Sequence, residues 1–357
     1  MKKVPITTSI RHFLGLNLLR FTTWHRKRQV QHLITTNAFQ TIKQLWSIRK
    51  SLSAGRLLIG VLLTEHFGDI VACEPIILWL RKQYPAGFIV WLTRPAYVEL
   101  LKHHPQLDAI VEIGSVAACQ NIIRSGVFDD FADLHIHRKF CDVSNREYVK
   151  QWGSQEVDIQ NYFHHGALLE AMSLGAGLPR LDEQPHLFLS PEASQAVDDL
   201  KLPSIFVVIH ARSNLSSKNW NDVYWNELAE MLVGRFGLTL VEIGLESAIK
   251  RGGKGVINLC SKLSLTESAE VIRRAVHFIG IDSGPAHFAN AFQIPSVILL
   301  GHYNVYKRYM PYTGFLRNHS DSMIIQWDGP ASEIPVSEVL RRFEMLWSER
   351  LATIHQS

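Results

Sequence analysis

Apolar positions along the chain fall into short runs separated by amphipathic or polar stretches. Residues 56–63 (RLLIGVLL), 88–94 (FIVWLTR), 109–114 (AIVEIG) and 131–137 (FADLHIH) read as strands. Residues 64–69 (TEHFGD) form a loop after the first of them, and 70–85 (IVACEPIILWLRKQYP) has helical periodicity that stops at Pro85. The rhythm lapses over 138–165, a polar stretch rich in His, Arg and Lys. A helix is expected near 164–176, and 182–194 reads as a linker running into another helix. Strand-like runs then resume at 205–211, 238–244, 256–260, 277–283, 296–301 and 323–327, with a closing amphipathic helix over 337–350. Strands alternating with helices predict parallel sheets covered on both faces. Two such halves predict an α/β protein of two Rossmann-like domains facing each other across a cleft. Ligands of such sheets gather at the carboxyl ends of the strands. The loops after residues 63, 137, 211, 244, 283 and 301 are therefore the places to look for chemistry.

The chain has 357 residues, enough for two cores, with 46% hydrophobic and 20% charged residues. Its apolar runs are far shorter than the ~20 residues a membrane helix needs. Cys73, Cys119, Cys141 and Cys260 lie far apart without a CxxC pair, so neither a disulfide framework nor a thiolate metal site is indicated. The 17 histidines show no HExxH spacing. His135 and His137 alternate at a strand end and His164 and His165 are adjacent, which suits cleft or surface histidines better than metal ligands.

Charge changes the picture at one end. Ten of the 37 Lys and Arg fall in residues 1–50, which hold no Asp or Glu. The rest of the chain carries 27 basic and 33 acidic residues, a net of −6. Val30, Leu33, Ile34, Ile42, Leu45 and Trp46 recur at roughly helical spacing within the basic stretch. Three readings stand: a helix lying on an anionic leaflet, an ordinary packed helix with a solvated basic face, or a targeting segment.

Three loops carry candidate chemistry. In 278–301 (FIGIDSGPAHFANAFQIPSVILLG) a strand reaches Asp282, then Ser283, Gly284 and Pro285 lead into a helix. Proline suits the first helical turn, glycine permits close backbone approach, and the free N–H groups with the helix dipole suit an anion such as a diphosphate. In 210–220 (HARSNLSSKNW), Arg212, Ser213, Ser216, Ser217 and Lys218 offer hydroxyls and cations to phosphate oxygens, or else form a solvated turn. Asp69 follows Gly68 at a helix start, where a carboxylate can cap the helix or take a proton from a nucleophile.

The segments 68–75 (GDIVACEP), 216–220 (SSKNW) and 258–301 together resemble glycosyltransferase family 9, the heptosyltransferase-like family of lipopolysaccharide core synthesis. The likeness runs from about Arg56 to Tyr312. It implies a GT-B fold of two facing Rossmann-like domains, with the acceptor in the N-terminal and the donor in the C-terminal domain. The expected organisation is a basic N-terminal helical extension over 1–54, the acceptor domain over 55–190, the nucleotide-sugar domain over 191–330 and a closing helix over 331–357. The resemblance implies an inverting, metal-independent transfer of a sugar, heptose foremost, from a nucleotide diphosphate to a lipopolysaccharide-type glycan. Asp69 takes the position of the base and Lys218 that of the lysine contacting donor phosphate. Asp282, Ser283 and Gly284 take the donor loop, with Pro285 and His287 following. Asp282 should order its loop or bind sugar hydroxyls, since like charges keep it off phosphate.

The chain departs from the family pattern at Glu65, His66 and Phe67, where small residues are usual, and at Ala211 and Arg212, where glycine is usual. Glu246 is the candidate for the acidic ribose contact. His137, Arg138, Lys139 and Arg146, with Lys150, are candidates to meet a lipid-linked oligosaccharide, or else form a solvated face. The expected setting is cytoplasmic and peripheral on the inner membrane, with no cofactor beyond the nucleotide-sugar co-substrate (ADP-heptose foremost) and no nucleic acid. A sugar-nucleotide epimerase and an inactive membrane-surface binding protein of the same fold are the rivals. A dehydrogenase is disfavoured because no GxGxxG follows a strand.

Overall fold

The computed structural model describes residues 32, 34–142, 144–250 and 255–356. A helix over residues 34–51, α1, opens the first half. It is followed by β1 (Leu58–Leu62), α2 (Phe67–Ala72), α3 (Pro75–Gln83), β2 (Phe88–Thr93), α4 (Val98–Leu101), β3 (Ala109–Glu112), α5 (Val116–Arg124) and β4 (Asp130–Asp133). A small antiparallel pair, β5 (Phe140–Cys141) and β6 (Arg146–Glu147), then precedes α6 (Leu168–Gly175). The second half comprises α7 (Pro191–Asp199), β7 (Phe206–His210), α8 (Asp222–Phe236), β8 (Thr239–Ile243), β9 (Val256–Asn258), α9 (Leu265–Arg274), β10 (His277–Ile281) and α10 (Gly284–Ala291). It continues through β11 (Ser296–Leu300), α11 (Gly314–Asn318), α12 (Ser320–Met323), β12 (Ile324–Gln326) and α13 (Val336–Gln356).

Each half has its own parallel sheet, in the order β3-β2-β1-β4 and β12-β11-β10-β7-β8-β9. The central strands β1, β7, β10 and β11 are buried throughout, which is why they read as unbroken apolar runs. In both sheets the chain order reverses beside the first strand: between β1 and β4, and between β7 and β10. Loops diverge from such a switch point and leave a crevice. The loops flanking the two crevices carry Asp69 and Lys139 in one half, Lys218 and Asp282 in the other.

The halves are tied near α6 and α11. Leu168 N–H donates to Pro311 O at 3.3 Å, and Thr313 Oγ1 donates to Glu183 O at 2.9 Å. Buried Glu170 of α6 lies 2.8 Å from Arg317 of α11 and 3.3 Å from Arg180.

Two expectations are corrected. The helix expected near 164–176 is interrupted: Tyr162–His165 form a 3-10 turn, Gly166 adopts φ 118, and α6 begins only at Leu168. Glu170 fixes that start by accepting from Ala167 N–H at 2.7 Å. The apolar stripe read for a leaflet also faces elsewhere. Ile34, Ala38 and Leu45, with half-buried Ile42, pack against Leu58, Leu62, Val90, Leu92 and Ile122, because that face of the first sheet needs apolar cover. Arg49 secures the far end by pairing with Asp129 at 2.6 Å. Trp46, read as part of the same stripe, is exposed instead, and Val30 and Leu33 lie outside the described residues. Among the described residues no helix is long and apolar enough to cross a membrane.

Candidate functional site

Asp69 is the third residue of α2, whose N-cap is His66 without a side-chain capping bond. The carboxylate therefore sits in the first turn but is not the cap. It is half-buried, and burial pushes its pKa above the ordinary carboxylate range. Lys139 pulls the value down and Glu65 pushes it up, with smaller downward pulls from His66 and Lys218. The last of these matters most for geometry: a carboxylate of the first half and a lysine of the second lie within electrostatic reach.

Lys139 follows β4 and pairs with buried Glu65 at 2.7 Å. Burial opposes the charge on Lys139, but Glu65 and Asp69 outweigh it and hold the ammonium above its usual pKa. Burial likewise opposes ionised Glu65, and Lys139 with His135 reverses the sign. A network beneath holds this corner in place. His135 Nδ1 donates to Asp133 Oδ1 at 2.7 Å, and His135 Nε2 accepts from Thr64 N–H at 3.0 Å. Tyr148 OH donates to the other Asp133 oxygen at 2.8 Å.

Across the cleft, Lys218 Nζ donates to Asp282 Oδ2 at 2.6 Å. Tyr309 OH donates to the same oxygen at 2.7 Å and Tyr312 OH to Oδ1 at 2.9 Å. Burial pushes Asp282 upward, but Lys218 and the tyrosine hydroxyls outweigh it and keep the carboxyl below its ordinary range. Three donors on its two oxygens tie Asp282 to Lys218, Tyr309 and Tyr312, which orders its loop. The Tyr303 ring covers Lys218, with Nζ 4.2 Å from its centroid.

The α10 loop adds Ser283, whose Oγ lies 3.0 Å from His210 Nδ1 and donates to Ile281 O. Pro285 stands in the first helical turn, and His287 is buried beside Tyr312 at 4.8 Å between ring centroids. Desolvation drops the pKa of His287 and of His210 to about 4, so both are neutral at pH 7. Gly284 is needed for close approach, but the approaching group is protein: a Cβ there would run into the Phe67 ring of α2. A Cβ on Gly68 would lie 3.1 Å from Gly284 Cα and 3.0 Å from His287 Cδ2. Phe67 also stacks on Phe288 at 5.1 Å. The two crevices thus meet backbone to backbone at α2 and α10.

Other expected residues lie further from this centre or are already engaged. Arg212 pairs with Asp222 at 2.5 Å. Ser213 Oγ bonds the Leu215 backbone, and Ser216 and Ser217 are exposed on the 3-10 turn Ser216–Lys218. Glu246 is exposed after β8, whereas buried Glu242 shapes that loop by accepting from Ser247 Oγ, Ala248 N–H and Ile249 N–H. On the acceptor side His137 accepts from Lys150 N–H, Arg138 pairs with Glu147 at 3.2 Å, and Arg146 is exposed on β6. Lys150 is corrected: it is 1% exposed and donates to the carbonyls of Asp133 and His135, a structural role. Of that basic set, Lys139 is the residue that reaches Asp69.

Sequence reasoning missed Glu65 as the partner of Lys139, and it missed the tyrosines. Tyr303, Tyr306, Tyr309 and Tyr312 recur at every third position after the strand ending at Gly301, a regularity visible in the chain. They pack with Phe163 at ring separations of 4.6–6.2 Å for the first three. Tyr162 joins the cluster, its ring 4.2 Å from that of Phe163 and 5.5 Å from that of Tyr306.

Two Rossmann-like sheets whose switch points face one another define the GT-B architecture. The model of "Glycosyltransferase family 9 (heptosyltransferase)" matches residues 136–314, half of the chain. The chain belongs to that family. It is 23% identical over 324 residues to lipopolysaccharide heptosyltransferase 3 of Escherichia coli, covering 79% of this chain and 92% of the relative. Lipopolysaccharide heptosyltransferase 1 of Pseudomonas aeruginosa is 26% identical over 161 residues, 44% of this chain and 42% of the relative. Among solved structures, the ADP-heptose lipopolysaccharide heptosyltransferase II of E. coli superimposes with TM-score 0.61 at 16% identity, over 82% of this chain and 99% of that one. A family 9 glycosyltransferase of Veillonella parvula gives 0.60 at 17% identity, over 82% and 97%.

Proposed function

We propose that the chain transfers a sugar, heptose foremost, from a nucleotide diphosphate to a hydroxyl of a lipopolysaccharide-type glycan, with inversion and without a metal. ADP-heptose is the expected donor, as the name of the E. coli structural relative suggests for that protein. The observation that carries this reading is the close packing of Gly68, next to Asp69, against Gly284 of the loop whose Asp282 holds Lys218, which brings the two strand-end crevices face to face. The acceptor oxygen attacks the anomeric carbon from the face opposite the diphosphate as the bond to the diphosphate breaks, through an oxocarbenium-like state. Asp69 takes the acceptor proton. Lys218, the amides opening α10 and, once it turns from the Ile281 carbonyl, the Ser283 hydroxyl receive the negative charge that grows on the leaving group. Ser213, Ser217, Arg212 and Glu246 line the outer donor side, while Lys139, with His137, Arg138 and Arg146 further out, faces the acceptor.

The acceptor is a lipid-linked oligosaccharide at the cytoplasmic face of the inner membrane, and the acid-free residues 1–50 give the protein its affinity for that anionic surface. The test is incubation with ADP-heptose, alone and with a truncated lipopolysaccharide acceptor, followed by NMR of the product anomer. Inverted glycan is the expected product. A retained anomer refutes the inverting route, and conversion of the donor without any acceptor identifies an epimerase instead.

A further inference from the structure

The helix α1 has two faces, and the one not used by the first sheet has a pattern of its own. Phe39 is 67% exposed and Trp46 37% exposed, and Lys43 and Lys50 are exposed as well. Their spacing of four, three and four residues places them along one line of the helix. Aromatic rings alternating with lysines suit a lipid headgroup layer: the rings sit at its apolar boundary, and the lysine stems lie along it while their ammonium groups reach phosphates. The Arg49 guanidinium stands 5.7 Å from the Trp46 ring centroid, but Asp129 balances its charge, so Lys43 and Lys50 carry the line's positive charge.

Charge and position favour the same occupant. Residues 1–50 contain no Asp or Glu, whereas the rest of the chain has a net charge of −6. An anionic surface therefore attracts the N-terminal stretch that includes α1, whose outer face carries Lys43 and Lys50, and repels the remainder. The early part of α1 reaches the carboxyl end of β3: Thr41 Oγ1 donates to Glu112 O at 3.3 Å, and the Asn37 side chain fills the space beside Gly114. That is the edge of the sheet from which the Asp69 and Lys139 loops also rise. A leaflet lying on α1 would bring a membrane-borne glycan to the mouth of the first-half crevice.

We infer that the outer face of α1, through Phe39, Lys43, Trp46 and Lys50, is the surface by which the protein docks on an anionic leaflet. This deepens the proposed membrane-bound acceptor and rests on it. It also relocates the contact from the apolar stripe of α1, which the sheet occupies, to the opposite side of the same helix.

The test uses the full chain with vesicles of phosphatidylcholine alone or with phosphatidylglycerol. Wild type is compared with Phe39→Ser/Trp46→Ser and with Lys43→Glu/Lys50→Glu. Thermal melting, oligomeric state and transfer to a soluble acceptor are followed in parallel. Both double variants should lose about tenfold or more in partition onto the phosphatidylglycerol vesicles, with melting and soluble transfer unchanged. Binding of both variants at the wild-type level overturns the proposal and moves docking to residues 1–31. Absence of wild-type vesicle binding overturns it too. A drop in melting temperature or a change of oligomeric state in both variants shows that the face is covered by the chain itself or by a second copy, which also overturns it. Failure of the transferase reading would appear separately, as absence of transfer by wild type to the soluble acceptor.

Discussion

Lys218→Ala separates what the lysine does for the fold from what it does for transfer. In the native protein the ammonium, 16% exposed, is 2.6 Å from a carboxylate 5% exposed. Removing one member of a buried pair costs about 3–5 kcal/mol. Tyr309 and Tyr312 still donate to Asp282, so the loss at pH 7.5 should fall at the lower end, about 3 kcal/mol. The pH dependence has a definite sign. Native Asp282 titrates below the ordinary carboxylate range, so its contribution is intact between pH 5 and 7.5 and fades only as pH falls through the lowered value. Without Lys218, burial dominates and pushes the carboxyl above the ordinary carboxylate range. The variant then gains a proton on acidification, and its deficit against wild type shrinks from pH 7.5 to 5. Lys218→Ala/Asp282→Asn removes the stranded charge and should recover most of the stability. Transfer should stay down in both variants by about 2–4 kcal/mol, roughly 30- to 1,000-fold. Urea denaturation at the two pH values and steady-state kinetics of the three proteins make the assay. A deficit equal at both pH values, or recovery of transfer in the double variant, would refute the reasoning.

Three further outcomes are expected. His210, His277 and His287 are buried with pKa values near 4, so the unfolded chain binds more protons between pH 4 and 6.5 and stability rises with pH through that window. Each should contribute a loss of about 2 kcal/mol between pH 7 and 5, read by urea denaturation, and His277→Phe should flatten the profile by one such share. Gly284→Ala forces a methyl into the Phe67 ring and should lower stability by about 1–3 kcal/mol, with Phe67→Ala in the same chain restoring part of it in thermal melts. Leu45→Ala, on the buried face of α1, should cost about 2–5 kcal/mol if that helix belongs to the first core, and almost nothing if it were a detached arm.

The central strands were legible because they are buried on both sides, which leaves the uninterrupted apolar runs of 58–62 and 297–300. Asp69, Lys218 and the loop opening at Asp282 were legible for a related reason: each follows a strand, and parallel sheets send their ligands to those ends. What local pattern could not show was pairing. Glu65 and Lys139 are 74 positions apart in the chain, and their ion pair exists only once β1 and β4 are neighbours. Lys150 resembles the cations around it in sequence, yet it is buried under two strand-end carbonyls. Ile34, Ile42 and Leu45 of the stripe read for α1 do share one face, but Trp46, read with them, is on the outer face. Periodicity reports that an apolar face exists without reporting what it meets, and here it meets the sheet. Tyr303 belongs to a three-residue repeat that hydropathy alone does not register.

The account turns on Asp69 and Lys218 acting on one reaction from opposite halves. The most direct measurement is calorimetric ADP binding together with transfer rate for wild type, Asp69→Asn and Lys218→Ala. Asp69→Asn should bind ADP as wild type does while transfer falls by about 10²–10⁴, and Lys218→Ala should lose affinity for ADP. Wild-type transfer by Asp69→Asn, or undiminished ADP affinity in Lys218→Ala, would contradict the account.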